Sequence, residues 1–252
     1  MHEIQTAGIL DFRAIERFFQ RVLPDDLDRL AFFLAAFTLA GIVVTVMVQT
    51  TAVYTWFERR VLGRFQARLG PNRWGPFGML QPIADLIKLM FKEDMVPKIA
   101  DRWAFNLAPI ILVVPTLLVV AVIPFGEDSF LGALNIGILF VLGVTSVNTI
   151  AIFMAGWGSG NKYAMLGAMR GVAMLVSYEV PMALGVTGVL ILSGSLAMFD
   201  IVEMQNVPFL LVQPLGFLIF IAAASAEMSR TPFDQIEAES ELGSGYNTEY
   251  SS

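Results

Sequence analysis

The residues best suited to chemistry are carboxylates that gather behind the last apolar run of the chain. Glu227 closes that run, and the stretch that follows contains Asp234 and the sequence IEAESEL. Its glutamates alternate, so Glu237, Glu239 and Glu241 would share one face of a strand, and the first and last of them one face of a helix. Like charges this close couple their titration, and a coupled cluster of acids can pass protons.

Glu179 is a carboxylate of a different kind, because the sequence LVSYEVPMALG places it inside an apolar run. A charge at the centre of a bilayer costs about 2.5–3.5 kcal/mol on insertion scales, so it normally faces a polar partner or a water-filled cavity. Pro181 cannot donate to the carbonyl of Ser177, which leaves a polar backbone group free nearby. We interpret Glu179 as part of a proton relay or a polar cavity; the alternative is a structural hydrogen bond between helices.

The acidic stretch also has a plainer interpretation as a solvated loop. Its apolar and aromatic residues argue against that interpretation, because a disordered tail contains few of them. These residues are Phe233, Ile236, Leu242, Tyr246 and Tyr250. We therefore expect the loop to pack back against the protein.

The elements that position these acids are predicted from composition. Hydrophobic residues make up 56% of the chain and charged residues 15%, whereas soluble domains have roughly 45–50% and 25%. Several uncharged runs exceed the ~20 residues that cross a bilayer, and they do not alternate as barrel strands do. We predict an all-α integral membrane protein, one membrane domain over residues 1–252 with five transmembrane helices. The predicted parts are an interfacial segment 1–29, helices within 30–57, 103–126, 129–161, 163–199 and 204–226, and an acidic loop 227–252.

The connection over residues 58–102 contains a further predicted helix, 78–92. Its apolar residues recur at a spacing of 3.6, whereas Asp85 and Lys88 fall off that stripe. The segment is too short and too charged to span a bilayer. We expect an amphipathic helix in the membrane interface.

Loop charges predict the orientation. Residues 58–102 hold nine Lys and Arg against five acids, and Lys162 adds a basic residue on the same side. The opposite loops contain acids and no basic residue: Glu127, Asp128, Asp200 and Glu203. Because basic loops stay inside, we expect the N-terminus outside and the C-terminus in the cytoplasm.

The chain has no cysteine and a single histidine. Iron–sulfur clusters need thiolates, and most haem and zinc sites need histidine or thiolate ligands. We therefore expect no metal site in this chain. Any electron transfer that it serves would use a cofactor bound elsewhere or a diffusing one.

Two long segments resemble hallmark sequences of one family. They are ERRVLGRFQARLGPNRWGPFGMLQPIADLIKLMFKED, from Glu58 to Asp94, and AEMSRTPFDQIEAESELGSGYNTEYS, from Ala226 to Ser251. Together with SYEVPM around Glu179, they are similar to the membrane subunit of respiratory complex I that is called H in bacteria, and to its mitochondrial counterpart.

The resemblance implies a subunit of a proton-translocating NADH:quinone oxidoreductase in the bacterial plasma (inner) membrane. Such a subunit forms much of the chamber through which quinone, the substrate, reaches an iron–sulfur cluster of a neighbouring subunit. The FMN and the iron–sulfur clusters belong to partner subunits, and antiporter-like membrane subunits are further partners. By resemblance, the residues of the quinone chamber are Glu58, Arg59, Asp85 and Lys88.

The resemblance also assigns acids to the proton-conducting path between that chamber and the antiporter-like subunits. They are Glu179, Glu227, Asp234, Glu237, Glu239, Glu241 and Glu249. The chain departs from the family pattern at Gln235-Ile236, where Leu-Pro is usual, and at Gly243, where a larger aliphatic residue is usual.

Several alternatives stay open at this point. Related subunits occur in membrane-bound hydrogenases and in photosynthetic-type quinone reductases. The family has eight transmembrane helices, so a chain with five is expected to be C-terminally shortened. Such a chain would either be completed by another chain or be an inert fragment.

Overall fold

The computed structural model describes residues 12–22, 28–124, 134–230, 232–236 and 239–250. They fall into two compact units, one within residues 1–94 and one over Met95–Tyr250. Every element in the described part is a helix or a turn, so the predicted all-α class is confirmed.

The described part of the first unit contains the α-helices α1 (Phe12–Val22), α2 (Asp28–Phe65) and α3 (Gln81–Phe91). The apolar run predicts the first part of α2, but the helix continues through its charged end because Glu and Arg are good helix formers. Beyond α2 the chain folds back tightly, and a Cβ at Gly70 would lie 2.9 Å from the Cα of Arg60.

Helix α3 is the amphipathic segment expected over residues 78–92. It follows a short 3₁₀ turn at Pro76–Gly78 and has a proline in its first turn, where the missing N–H costs no helical hydrogen bond. The structure therefore holds α3 as a short separate helix beside the end of α2 within this unit.

The second unit contains the helices that position the acids. They are α4 (Arg102–Val120), α5 (Gly137–Gly158), α6 (Lys162–Ser193), α7 (Met198–Glu203), α8 (Phe209–Val212), α9 (Pro214–Glu227) and α10 (Glu239–Leu242), with a 3₁₀ turn at Gly245–Asn247. Within the described residues, four helices are long and apolar enough to cross a membrane, namely α2, α4, α5 and α6.

The fifth apolar run differs from the single helix predicted for it. It is divided into α8 and α9 at Gln213, whose φ of −134° and ψ of 62° are not helical. The cause is Pro214, which lacks an N–H and disfavours the α conformation in the residue before it. Helix α9 is apolar but has only 14 residues.

Small residues let the helices of the second unit approach closely. A Cβ at Gly156 of α5 would lie 2.3 Å from the Cβ of Ala168 on α6. On another face of α6, a Cβ at Gly185 would lie 3.1 Å from the carbonyl oxygen of Gly216 on α9. Such contacts replace the hydrophobic effect as the force that joins helices in a bilayer.

The loop after α9 packs back on the bundle, as its apolar residues led us to expect. Ile236 is 1% exposed and belongs to the same core cluster as Ile152 of α5 and Leu175 of α6. The ring of Tyr250 stacks on that of Phe105 at 4.1 Å, and its hydroxyl donates to the Phe105 carbonyl oxygen at 3.0 Å. Burial raises the pKa of Tyr250 to about 12, so this hydroxyl remains a donor at neutral pH.

Substituting Gly167 by Ala is expected to displace the loop, because the new Cβ would lie 2.7 Å from the Cα of Gly245. Backbone lies on that side, so no side-chain rotation relieves the overlap, and overpacking typically costs about 1–3 kcal/mol. We expect a lower melting temperature in detergent and faster proteolysis of the loop.

The matched control is Gly143→Ala in α5, where an added Cβ has no heavy atom within 4 Å. That variant should be as stable as the unaltered chain or slightly more stable, since Ala favours helix. Equal melting temperatures for the two variants would contradict the close approach of the loop to α6.

Candidate functional site

A cavity of about 270 Å³ lies within the second unit, among α4, α5, α6 and the end of α9. Part of its lining is apolar, from Leu112, Ile152, Leu175, Met182 and Met228. The rest is polar: Thr116, Thr145, Ser146, Asn148, Thr149, Tyr178, Glu179, Glu227, Ser229 and Tyr246. A space this large with several polar partners can hold water.

Glu179 lies on α6 and is half-buried. Ser146 of α5 donates a hydrogen bond from its Oγ to Oε1 of Glu179. Glu179 therefore has a polar partner on a neighbouring helix and also lines the cavity, so its role in a proton relay stays a prediction.

Glu227 occupies the last position of α9 and lines the same cavity as Glu179. The two acids belong to different helices, and the packing of α6 against α9 brings both to one polar space. A pair of carboxylates beside hydroxyl groups and room for water is suited to receiving and passing protons.

Asn148 lines this cavity too, and its Oδ1 is buried without a hydrogen-bond partner among the described residues. An unsatisfied buried acceptor costs about 1–3 kcal/mol. A donor held in the cavity would offset that cost, which favours a hydrated cavity.

Three other predicted proton-path acids, Asp234, Glu241 and Glu249, do not line this cavity. Glu241 forms an ion pair with Arg170 of α6, whose Nη1 is 2.7 Å from its Oε2. Glu249 accepts a hydrogen bond of 2.6 Å from Nδ2 of Asn161, the N-cap residue of α6. Asp234 is exposed in the loop.

Two of the predicted acids have no described side chain. Glu239 begins the short helix α10, and its side chain is not among those described; Glu237 lies outside the described residues. Their assignment to the proton path stays a prediction.

The predicted quinone-chamber residues lie in the first unit. Nη1 of Arg59 on α2 donates to Oδ2 of Asp85 on α3 at 2.7 Å, and Nζ of Lys88 is 4.0 Å from Oδ1 of Asp85. The Arg59 guanidinium beside Asp85 holds the pKa of that carboxyl below its usual value. Glu58 precedes Arg59 on α2 and is half-buried.

Aromatic residues anchor the neighbouring arginine of the first unit. The guanidinium of Arg60 lies 5.3 Å from the ring centre of Trp56 and 5.2 Å from that of Phe77. Its Nη1 also donates to the carbonyl oxygen of Phe77 at 2.9 Å. Cation–π contacts of this kind fix the turn before α3 against α2.

Metal ligands are a separate question. Within the described ranges, no group of three or more His, Cys, Asp or Glu residues is arranged to hold a metal ion.

Ser146 and Asn148 are site residues that were not predicted from the sequence. A usable signal existed, since Thr145, Asn148 and Thr149 follow one another at helical spacing within an apolar run. Polar residues on one face of a transmembrane helix commonly bond across to another helix.

The comparisons with known proteins decide the family. A family model described as NADH dehydrogenase matches residues 37–252. The chain belongs to the NADH dehydrogenase family.

Two similar proteins support the assignment to the NADH dehydrogenase family. The chain is 56% identical over 205 residues to a protein of Dehalococcoides mccartyi strain CBDB1 that is named as the H subunit of NADH-quinone oxidoreductase; the match covers 81% of this chain and 58% of that relative. It is 49% identical over 196 residues to the protein of the same name from Bacillus thuringiensis strain Al Hakam, covering 77% of this chain and 59% of that relative. The chain thus spans somewhat more than half the length of these relatives.

The ion pair between Arg59 and Asp85 predicts a pH dependence. Because the folded pKa of Asp85 is lowered, its stabilising contribution is present above the ordinary value of 3.8 and is lost as the pH falls through the folded value. The pair is partly exposed, with 51% and 25% of the two side chains accessible, so we expect a coupling of only about 0.2–1 kcal/mol.

A double-mutant cycle of Arg59→Met and Asp85→Asn, measured by denaturant unfolding in detergent, isolates this coupling. It should be present at pH 7 and absent at a pH below the folded pKa of Asp85, where the carboxyl is protonated. A coupling energy that stays the same at both pH values would contradict the ionised pair.

Proposed function

We propose that this chain acts as the quinone-chamber membrane subunit of a proton-translocating NADH:quinone oxidoreductase. The observation that carries the proposal is the placement of Glu179 and Glu227 on one polar cavity within an apolar helix bundle. The relatives are named as the H subunit of NADH-quinone oxidoreductase, which supports the choice of enzyme.

Quinone reduction consumes two electrons and two protons, so a chain beside the reaction needs groups that bind the quinone and groups that move protons. In the proposal Glu58, Arg59, Asp85 and Lys88 bind and orient quinone. Helix α3 presents exposed Ile83, Leu86, Ile87 and Met90, which suits a substrate with an apolar tail. The bond from Arg59 keeps Asp85 ionised, so the charge pattern of this surface is constant at neutral pH.

The proton-moving groups are the acids of the second unit. Glu179 and Glu227 exchange protons through the cavity, and Asp234, Glu237, Glu239, Glu241 and Glu249 extend the path through the loop. A change of charge at the quinone shifts the proton affinity of the nearest acids. That shift is the coupling between the redox reaction and proton translocation.

The remaining parts of the machine lie in other chains. NADH would be oxidised by FMN and iron–sulfur clusters of hydrophilic partner subunits, and the protons would be passed on to antiporter-like membrane subunits. The proposed location is the bacterial inner membrane, in a single membrane domain with the N-terminus outside and the C-terminus in the cytoplasm.

Substitution of the acids tests the proton path. Glu179→Gln and Glu239→Gln should each depress quinone reduction and proton pumping roughly tenfold or more, since a positioned proton-transfer group contributes 10²–10⁴-fold. Both rates are measured in membrane vesicles with NADH as donor. Glu203→Gln is the matched control, because Glu203 is exposed on the short helix α7. Normal turnover and proton-to-electron ratio in both path variants would refute the proposal.

Co-purification tests the assembly. The tagged chain, extracted from its native membranes in mild detergent, should bring down iron–sulfur and antiporter-like subunits that mass spectrometry identifies. A nickel-site subunit among the companions would favour a hydrogenase instead. Recovery of the chain alone would favour an inert fragment, and the proton-path roles would then be withdrawn.

A further inference from the structure

Ser146 has two hydrogen-bond acceptors within reach but only one hydrogen to donate. Its Oγ contacts Oε1 of Glu179 and lies 2.9 Å from the carbonyl oxygen of Leu142, one turn earlier on α5. A hydroxyl is one donor and two acceptor sites, so it cannot donate to both partners at once.

We propose that Ser146 is a positioning residue that supports Glu179 in both of its protonation states by rotating its hydroxyl hydrogen. This inference rests on the proposed function, in which Glu179 gains and releases a proton. It adds a residue on a second helix to the acids of the path.

The two states use the same three groups. When Glu179 is ionised, the hydroxyl of Ser146 donates to its carboxylate, and the Leu142 carbonyl keeps its helical partner and the hydroxyl of Thr145, which donates to it at 3.0 Å. When Glu179 carries a proton, the carboxyl O–H donates to Oγ of Ser146, and the hydroxyl donates to the carbonyl of Leu142. One proton is gained by the carboxylate from the cavity, and Ser146 stays neutral throughout.

The benefit of this arrangement is that neither state leaves a buried polar group unsatisfied. A half-buried carboxylate without a donor lacks a charge-assisted hydrogen bond. A neutral carboxyl without an acceptor lacks the hydrogen bond that its O–H would donate. A fixed donor would favour only the ionised form. A rotating hydroxyl makes one hydrogen bond with either form of Glu179, so the ionised and neutral forms differ less in hydrogen-bond energy. Glu179 can then gain and release a proton repeatedly.

The chain offers a matched comparison in Ser177 on α6. Its hydroxyl makes the same kind of bond to a carbonyl one turn earlier, 2.6 Å from the oxygen of Ala173. Ser177 is exposed and does not line the cavity. The change Ser177→Ala therefore removes an equivalent hydroxyl without reaching Glu179.

Infrared difference spectra between low and high pH test the proposal on the chain purified with its companion subunits. The carbonyl band of protonated Glu179 is the one that Glu179→Gln abolishes. In Ser146→Ala this band should shift to higher wavenumber, because the carboxyl loses its bond to Oγ. The variants Ser146→Thr and Ser177→Ala should leave it in place.

Turnover gives the second readout. Loss of a hydrogen bond to a charged group should lower coupled quinone reduction in Ser146→Ala roughly tenfold to a hundredfold. Ser146→Thr, which keeps the hydroxyl, should restore it, and Ser177→Ala should match the unaltered complex. If Ser146→Ala fails to assemble, Ser146→Cys replaces it, because a thiol fills the space but bonds weakly.

The outcomes separate this inference from the proposed function. If Glu179→Gln depresses turnover but the band and the rate of Ser146→Ala are unchanged, the role of Ser146 is refuted and the function stands. If Glu179→Gln and Glu239→Gln both leave turnover and the proton-to-electron ratio unchanged, the proposed function fails. Absence of any band removed by Glu179→Gln means that Glu179 does not change its protonation, which also refutes the inference.

Discussion

A carboxylate inside an apolar helix is kept only where other polar groups surround it, and Glu179 imposes this requirement on the second unit. Leaving such a charge unpaired in hydrocarbon costs several times the energy of an ordinary side-chain contact. The hydroxyl of Ser146, the polar side chains on the same face of α5 and the second acid at the end of α9 supply that environment. The polar lining of the cavity is therefore explained by the need of Glu179 for polar neighbours, which the surrounding helices supply.

Close packing around the cavity is what makes that enclosure possible. Helix α6 is approached at three levels through glycines: Gly156 of α5, Gly245 of the loop and Gly216 of α9. Each contact brings backbone near backbone or a small side chain, so that van der Waals attraction joins the helices. A polar space between helices thus coexists with tight contacts above and below it, and the positions of its acids are well determined.

The sequence predicts the long helices because length and apolar character decide them, whereas local backbone breaks depend on context. Pro181 and Pro214 both lie in apolar runs, yet α6 continues through the first and the helix breaks before the second. At Gln213 the side chain packs where Gly188 leaves room, since a Cβ there would lie 1.6 Å from its Nε2. The cost of burying a charge allows the sequence alone to predict that Glu179 needs a polar partner. The identity of that partner, Ser146, cannot be predicted in this way, because it lies 33 residues away and meets Glu179 only through the packing of α5 against α6.

The acids of the proposed path differ in how firmly the structure holds them, and this difference has a mechanistic consequence. Glu179 and Glu227 belong to packed helices, whereas Glu241 is held by an ion pair with side chains 44% and 63% exposed, a kind of contact worth only about 0–1 kcal/mol. The loop that carries Glu241 is anchored instead by its apolar residues, by Ile236 in the core and by Tyr250 on Phe105. Because the packing of Ile236 and Tyr250 would remain, the loop stays in place when the weak ion pair of Glu241 opens. In the proposed path, Glu241 would therefore exchange its partner at a small cost in free energy, whereas Glu179 and Glu227 stay in place in their packed helices.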